Sequence, residues 1–423
     1  MTDLHAKRYS AYKESGVEWL GEVPEPWALQ RHKDCFYFIS DRCADSTFLK
    51  VGLENIEGKT GRFIPTETEF DGDGIQFKKD DILFGKLRPY LAKVYLAEFR
   101  GNSVGDIFVY RCKRNTLPKF ARYLMLSDLY IDVINSSTAG AKMPRVSSSF
   151  ITDLPVAMPS IVEQSAIIFY LDKKTAQIDR QVELLNKKAT QYGKLKQSLI
   201  NETVTHGLDN SVPMKESGVE WIGEVPAHWE VKRLKEAFNE RSQKGYPKEP
   251  LLIASQTHGV TLKSSYSRNT MTVQNDFHLM KLVNKNDFVI SLRSFEGGIE
   301  ISAQRGIISA AYTILTSATN EAARYYKHLF KSTRFISLLV TCTTGIREGR
   351  NVNYQQLKRE LLPAPPISEQ TSIAAYLDTK TAQIDRIVSA INTQIDKLKE
   401  LRKTLINDVV TGKIKVIPEG ELA

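Results

Sequence analysis

Lys13-Glu14-Ser15-Gly16-Val17-Glu18-Trp19-Leu20-Gly21-Glu22-Val23-Pro24 returns at residues 215–226 with a single change, Ile222 for Leu20. A second pair follows. Tyr170-Leu171-Asp172 and Lys174-Thr175-Ala176-Gln177-Ile178-Asp179-Arg180 return as Tyr376-Leu377-Asp378 and residues 380–386. A period of about 206 residues is too long for a solenoid repeat and marks two domain-sized halves. The stretches between the repeats have diverged, as expected of a kept scaffold carrying varied surfaces.

Composition narrows the class. A chain of 423 residues exceeds one hydrophobic core and implies two to three domains. Its longer apolar runs, such as Phe335-Ile336-Ser337-Leu338-Leu339-Val340, fall far short of the ~18 residues that span a bilayer. The first residues lack the apolar core of a secretory signal. Cys35, Cys43, Cys112 and Cys342 lie far apart without a C-x-x-C. That spacing argues against a zinc site or disulfide framework and for a reducing cytoplasm. The formal net charge of +9, from 58 basic and 49 acidic residues, points to a polyanion, with nucleic acid the leading partner.

Each half has three parts: a Gly/Pro/Trp segment (15–27 and 217–229), a mixed region of about 130 residues, and a long helix. The expected division is 1–158, first mixed domain; 159–207, central helix; 208–364, second mixed domain; 365–423, C-terminal helix and tail. The mixed regions alternate short β-like runs (81–84, 107–110, 287–290, 312–315) with helical patterns (118–126, 322–330), so both read as α+β. Residues 79–88 align with 285–293 given one gap, which predicts one fold with different surfaces. In the first long helix Ser160-Ile161-Val162-Glu163 fits a capping box and Gly207 a C-terminal cap. Pro365-Pro366 starts the second. Apolar residues recur at Ile178, Val182, Leu185, Ala189, Tyr192, Leu195 and Leu199, and again at Ile384, Val388, Ile391, Ile395, Leu398, Leu401 and Leu405. This describes a coiled-coil seam, on helices of roughly 65 Å at ~1.5 Å per residue. The matched registers favour antiparallel pairing of the two helices, with a domain at each end. Homodimerisation through the same stripe is the other reading.

Catalytic constellations are near misses. Gly58-Lys59-Thr60 resembles the end of a phosphate-binding loop, but Gly52 is one residue too far upstream. Glu57 and Lys59 form the E-x-K of many Mg²⁺ nucleases without a convincing partner carboxylate. The seven histidines show no i, i+4 pair for zinc. What remains is two sets of basic and polar residues among glycines. Lys86, Arg88 and Lys93 beside Tyr90 match Arg293 beside Phe295, Gly297 and Gly298. Lys142, Arg145 and Ser147 match Arg347, Arg350, Asn351 and Asn353. Such residues neutralise phosphates and reach base edges, while glycine permits close backbone approach. They are the candidate DNA contacts; no residue is assigned to catalysis or to a metal.

With these residues in view, the chain resembles the specificity subunit of type I restriction–modification systems. The resemblance rests on residues 14–24 and 216–226, on Pro159-Ser160-Ile161-Val162-Glu163-Gln164 and Pro365-Pro366-Ile367-Ser368-Glu369-Gln370 with their Tyr-Leu-Asp sequels, on the long helices, and on Leu292-Arg293-Ser294-Phe295-Glu296-Gly297-Gly298-Ile299. It covers essentially the whole chain. It implies two target-recognition domains that read the halves of a bipartite, asymmetric DNA site, and an antiparallel coiled coil that sets the gap. It further implies a non-catalytic subunit. S-adenosylmethionine would belong to two adenine-specific methyltransferase (modification) subunits, and ATP and Mg²⁺ to two restriction subunits. A free-standing dimeric DNA-binding protein and a Mg²⁺ nuclease are the alternatives.

Overall fold

The computed structural model describes residues 8–416 apart from 44–46, 69, 71, 141, 257, 266–275 and 346–350. The chain divides into two compact units of mixed helix and sheet. One is Met1–Leu185 with Thr393–Ala423; the other is Asn186–Asn392.

In the first unit an antiparallel sheet has the order Phe36–Ile39, Ile107–Cys112, Ile82–Gly85, Val94–Leu96. Apart from the edge strand Phe36–Ile39, where Tyr37 and Phe38 are exposed, its strands read as near-continuous apolar runs because both faces are covered. Ile82 and Phe84 join the core beneath helices Pro118–Leu126 and Asp128–Ser136, with Tyr110, Phe120, Leu124 and Tyr130. Leu83, Ile107 and Val109 point the other way, into a smaller core with Val51, Phe77 and Tyr95, as the period of two requires. A second sheet, of order Arg42–Cys43, Gly74–Phe77, Gly101–Ser103, Lys50–Val51, runs beside that core.

The second unit repeats the first sheet strand for strand: Phe238–Arg241, Thr313–Ser317, Phe288–Ile290, Glu300–Ile301. Phe288 and Ile290 face one core and Val289 the other. The aligned segments 79–88 and 285–293 therefore occupy one place in one topology. Asp80 and Asn286, which precede the matched strands, share a positive φ of 70° and 69°. The outer layer has diverged. Here a hairpin, Leu252–Ser255 with Gly259–Leu262, and a non-sequential antiparallel pair, Lys281–Val283 with Gly306–Ile308, bridged at Leu251 and Ile307, replace the four-stranded sheet.

The repeated Gly/Pro/Trp segments form matching two-stranded ribbons, Tyr12–Glu14 with Glu22–Pro24 and Met214–Glu216 with Glu224–Pro226. Trp27 and Trp229 behind them are fully buried. Each lies against a glycine that ends a long helix. Gly412 (φ +78°) sits over Pro24 and Trp27, and Gly207 (φ +77°) over Pro226 and Trp229. Gly207 donates its N–H to the Thr203 carbonyl at 3.1 Å, closing the expected cap.

The long helices span Ile161–His206 and Ile367–Val410. Within each unit their halves run antiparallel. In the first, Ile167 and Leu171 share a core with Ile406, Val409 and Val410, and Asp179 pairs with Arg402 at 3.1 Å. In the second, Ile200 and Val204 share a core with Ile373 and Leu377, and Lys196 pairs with Asp385 at 2.7 Å. Ile178, Ile384, Ile391 and Ile395 are buried. Val182, Leu185, Tyr192, Leu199, Val388, Leu398 and Leu405 are half-buried. Leu195 and Leu401 correct the expected stripe, being 53% and 55% exposed. Their neighbours Lys196 and Arg402 take the seam instead, their stems lying along it and their heads ion-paired. Ser160 caps its helix, its Oγ accepting from Glu163 N at 3.3 Å. The Glu163 carboxylate accepts from Tyr9 Oη at 2.5 Å.

Candidate nucleic-acid interface

In the first unit the turn 86–93 and the loop 138–147, far apart in sequence, come together. Leu87 and Arg145 are bridged as β partners, Arg88 N donates to the Pro144 carbonyl at 2.8 Å, and Val146 N to the Lys86 carbonyl at 3.2 Å. Asp106 clamps the junction. Arg145 Nη2 lies 2.9 Å from its carboxylate and Lys86 Nζ 3.7 Å. The hydrogen bond from Arg145, with the charges of Arg145 and Lys86, holds the Asp106 carboxyl below its ordinary range. Lys86 also lies 5.3 Å from the centre of the Phe108 ring.

Arg88 (φ +51°) and Ala92 (φ +48°) bracket the turn Pro89–Leu91 in the left-handed region, which costs a side chain of order 1 kcal/mol each. The turn presents Tyr90, Leu91 and, from the neighbouring loop, Met143 to solvent. Arg88 and Lys142 are exposed and have no ion-pair partner among the described residues. Two candidates are taken up internally. Lys93 Nζ donates to the Leu53 carbonyl at 2.5 Å. Ser147 caps the helix Ser148–Asp153, accepting from Phe150 N at 3.3 Å.

The second unit builds the same corner differently. Arg293 is exposed, without an ion-pair partner among the described residues, and precedes the short helix Ser294–Gly297. Gly298 closes it at φ +86°, where a Cβ would stand 2.1 Å from the Phe330 carbonyl oxygen. That contact accounts for Gly298, a tight backbone crossing, whereas a Cβ at Gly297 would meet only the Gln256 side chain, at 3.1 Å. The hairpin Thr343–Thr344 with Asn351–Val352 brings Val352 to the core that Phe295 also packs against. Asn351 is exposed. Asn353 caps Tyr354–Leu357, its Oδ1 accepting from Gln355 N at 3.0 Å and Gln356 N at 3.3 Å. Arg347 and Arg350 lie outside the described residues.

Glu57 and Lys59 sit on a turn of the first unit. The Glu57 carboxylate accepts from Arg62 Nε at 2.7 Å and from the Thr60 hydroxyl. Arg122 and Arg402 donate to the Thr60 and Lys59 carbonyls, at 2.6 and 3.4 Å. The turn is thereby fastened to helices of its own unit. No group of three His, Cys, Asp or Glu among the described residues stands ready to hold a metal ion. No helix among them is long and apolar enough to cross a membrane.

The repeated polar motifs have a role that sequence spacing alone did not reveal: they fasten each mixed sheet-and-helix region to its long helix. Asp172 accepts from Lys119 Nζ and Tyr123 Oη, both at 2.7 Å. Asp378 receives His328, Arg324 and Lys327 at 2.9, 3.0 and 3.1 Å. The hydrogen bond from His328, with those of Arg324 and Lys327, holds the Asp378 carboxyl far below its ordinary range. Gln164 bonds Leu117 N, Asn115 O and Pro159 O at 2.8–3.0 Å. Asp106, the clamp of the first corner, was also missed; it lies 20 and 39 residues from the cations it holds, with no local pattern to flag it.

No family model matches the chain. It is 23% identical over 443 residues to the type I restriction enzyme MjaVIII specificity subunit of Methanocaldococcus jannaschii, covering 96% of this chain and 97% of that one. It is 22% identical to the putative type I restriction enzyme MjaX specificity subunit of the same organism, covering 96% and 98%. Among solved structures, a chain from a study of complex assembly and conformational transition of the type I R-M system superposes with a TM-score of 0.69. The identity is 17%, and 92% of this chain and 98% of that one are covered. The HsdS subunit from Thermoanaerobacter tengcongensis superposes with a TM-score of 0.52 at 17% identity, covering 93% and 98%. The curated relatives of this chain are thus type I restriction enzyme specificity subunits, the two from Methanocaldococcus jannaschii similar to it over 96% of its length, and its fold is that of solved HsdS subunits.

Proposed function

We propose that the chain is the DNA sequence-specificity subunit of a type I restriction–modification complex, and that each unit reads one half of a split, asymmetric site. The observation that carries this reading is one sheet order in two units whose exposed corners differ residue by residue. A chain with identical corners would read a palindrome; unlike corners on one frame read unlike halves.

At the first corner Arg88 and Lys142 meet phosphates or base edges, and the clamped pair Lys86 and Arg145 adds a fixed positive field. At the second, Arg293 and Asn351 do the same work together with Arg347 and Arg350. Arginine offers two parallel donors to guanine and asparagine a donor–acceptor pair to adenine. The long helices pass through both units and act as the ruler between half-sites, on the order of one duplex turn, ~34 Å. The chain supplies recognition only. Two methyltransferase subunits carrying S-adenosylmethionine, and two restriction subunits using ATP and Mg²⁺, supply the chemistry.

The test is the methylated motif in DNA from cells that make the chain with its methyltransferase partner. The expected result is a motif of two unlike halves around a fixed gap. A contiguous or palindromic motif contradicts the reading.

A further inference from the structure

Gly58-Lys59-Thr60 makes no phosphate-binding loop, yet it is built tightly into the first corner. Lys59 N donates to the Ala92 carbonyl at 2.9 Å. A Cβ at Gly58 would stand 2.4 Å from the Leu91 carbonyl oxygen, so glycine is what lets the two turns touch. Arg122 and Arg402 hold the next two carbonyls, Thr60 and Lys59, and Arg402 belongs to the C-terminal long helix. The turn Pro89–Leu91 is also closed on itself. Leu91 N donates to the Arg88 carbonyl at 2.9 Å and Ala92 N to the Pro89 carbonyl at 2.8 Å. With Arg88 N bonded to the Pro144 carbonyl, this turn is braced at both ends.

Strain collects at the same point. Among the described residues, five that are not glycine have a positive φ. Asp80 and Asn286 are the matched pair that precedes the central strands. The other three, Lys59 (66°), Arg88 (51°) and Ala92 (48°), all meet at this turn. Such strain persists only where the surroundings hold it, and it gathers at sites of action. What the braced turn carries outward is apolar: Tyr90 is 48% exposed and Leu91 39%, with Met143 beside them at 46%. The segments 86–93 and 138–147 bring five cations, Lys86, Arg88, Lys93, Lys142 and Arg145, and no carboxylate of their own. Asp106 pairs with Lys86 and Arg145, and behind the turn Glu57 pairs with Arg62. The second unit has no counterpart among its described residues. Leu292 is exposed there beside Arg293, but Phe295 packs against the core.

We propose that Tyr90 and Leu91 form a wedge that enters one base step of the duplex and unstacks it, while Arg88 and Lys142 hold nearby phosphates. The inference rests on the first corner being a DNA reader. Apolar side chains pushed between base pairs unstack the step and bend the duplex. A wedge that does this must not yield. The bonds from Ala92 through Lys59 to Arg402 set it against the long helix. Steps differ in how readily they open, pyrimidine–purine steps most easily. The wedge therefore adds specificity at a step that it reads by deformability, without a hydrogen bond to a base.

The probe is a duplex carrying the motif that the chain's complex methylates, with the fluorescent base 2-aminopurine placed in turn at each position except the methylated adenines. It is bound by the full chain together with its methyltransferase partner. The expected result is a severalfold rise in fluorescence at one step, kept by Tyr90→Phe and lost in Tyr90→Ala. Tyr90→Ala should also bind the intact duplex about tenfold more weakly. A mismatch at that step should recover most of this loss, because the step is then already open. Leu91→Ala should show both effects in smaller measure. Three outcomes each overturn the wedge: no brightened step with the wild-type chain, brightening that persists in Tyr90→Ala, or equal weakening of Tyr90→Ala on intact and mismatched duplexes. None of them alters the methylated motif, so failure of the wedge is distinct from failure of the two-half reading.

Discussion

Where the first unit buries His32, the second buries Leu234. The His32 ring lies 4.3 Å from Phe36 and 4.8 Å from Tyr110; at the place of Tyr110 the second unit has Leu315, paired across the sheet with Phe288. A buried aspartate just before the matched strand is handled just as differently. Asp81 is met by Arg111 on the adjacent strand at 2.7 Å, whereas Asp287 is met at 3.1 Å by Arg241, two strands away. By contrast, the contacts that hold sheet to long helix recur in kind: glycine on tryptophan, aspartate under a cationic helix, glutamine at the first turn. Interiors and corners have drifted while attachment has not. A module selected for exchangeable recognition on a fixed frame would diverge in this way.

The comparison can be broken most forcefully at the tryptophans. Trp27→Ala should cost about 3–5 kcal/mol in the first unit and leave the second unit's hydrogen-exchange protection unchanged; Trp229→Ala should do the reverse. Equal loss in both units would mean that they do not fold as separate modules. The helix-ending glycines give a graded version. At Gly412 a Cβ would stand 2.4 Å from Pro24 Cγ, but at Gly207 3.2 Å from Trp229 Cζ2. Gly207→Ala should cost about 1–2 kcal/mol for its left-handed backbone, and Gly412→Ala about 1–3 kcal/mol more, as overpacking does, measured by denaturant unfolding.

Acid separates the units next. Burial pushes the His32 pKa down to about 3 from an ordinary 6.5. Between these values the unfolded chain takes up a proton that the folded one refuses. The stability contribution is complete above pH 6.5 and falls by about 1.4 kcal/mol per pH unit below it, about 2 kcal/mol by pH 5. Exchange protection of the first unit should drop at pH 5, and His32→Leu should remove that drop. The smallest effect belongs to the aspartates. Asp378 is depressed by its cationic neighbours, so its contribution is present above about pH 4 and lost as pH falls further. Asp378→Asn should cost about 1–2 kcal/mol at pH 7, more than Asp172→Asn, which has fewer donors to strand. A larger cost at Asp172 would undo that ranking.

The sequence carried the frame because frame contacts are local and repeated. Gly207, the heptad isoleucines and the paired Asp81 and Asp287 segments were all legible from period and copy number. Leu195 and Leu401 misled because either of two adjacent positions satisfies a three-or-four spacing; the adjacent Lys196 and Arg402 hold the seam, ion-paired with Asp385 and Asp179 respectively. The corner was legible only in its pieces. That Lys86 and Arg145 share Asp106, or that Lys93, Ser147 and Asn353 spend their polar atoms on carbonyls and helix ends, depends on contacts across tens of residues.

The central claim is that each unit's corner reads its own half-site. The direct measurement is the methylated motif before and after residues 30–155 are exchanged for those of a relative with a different first domain, the long helices kept. The account predicts that one half of the motif changes while the other half and the gap persist. A change in both halves, or none in either, would contradict it.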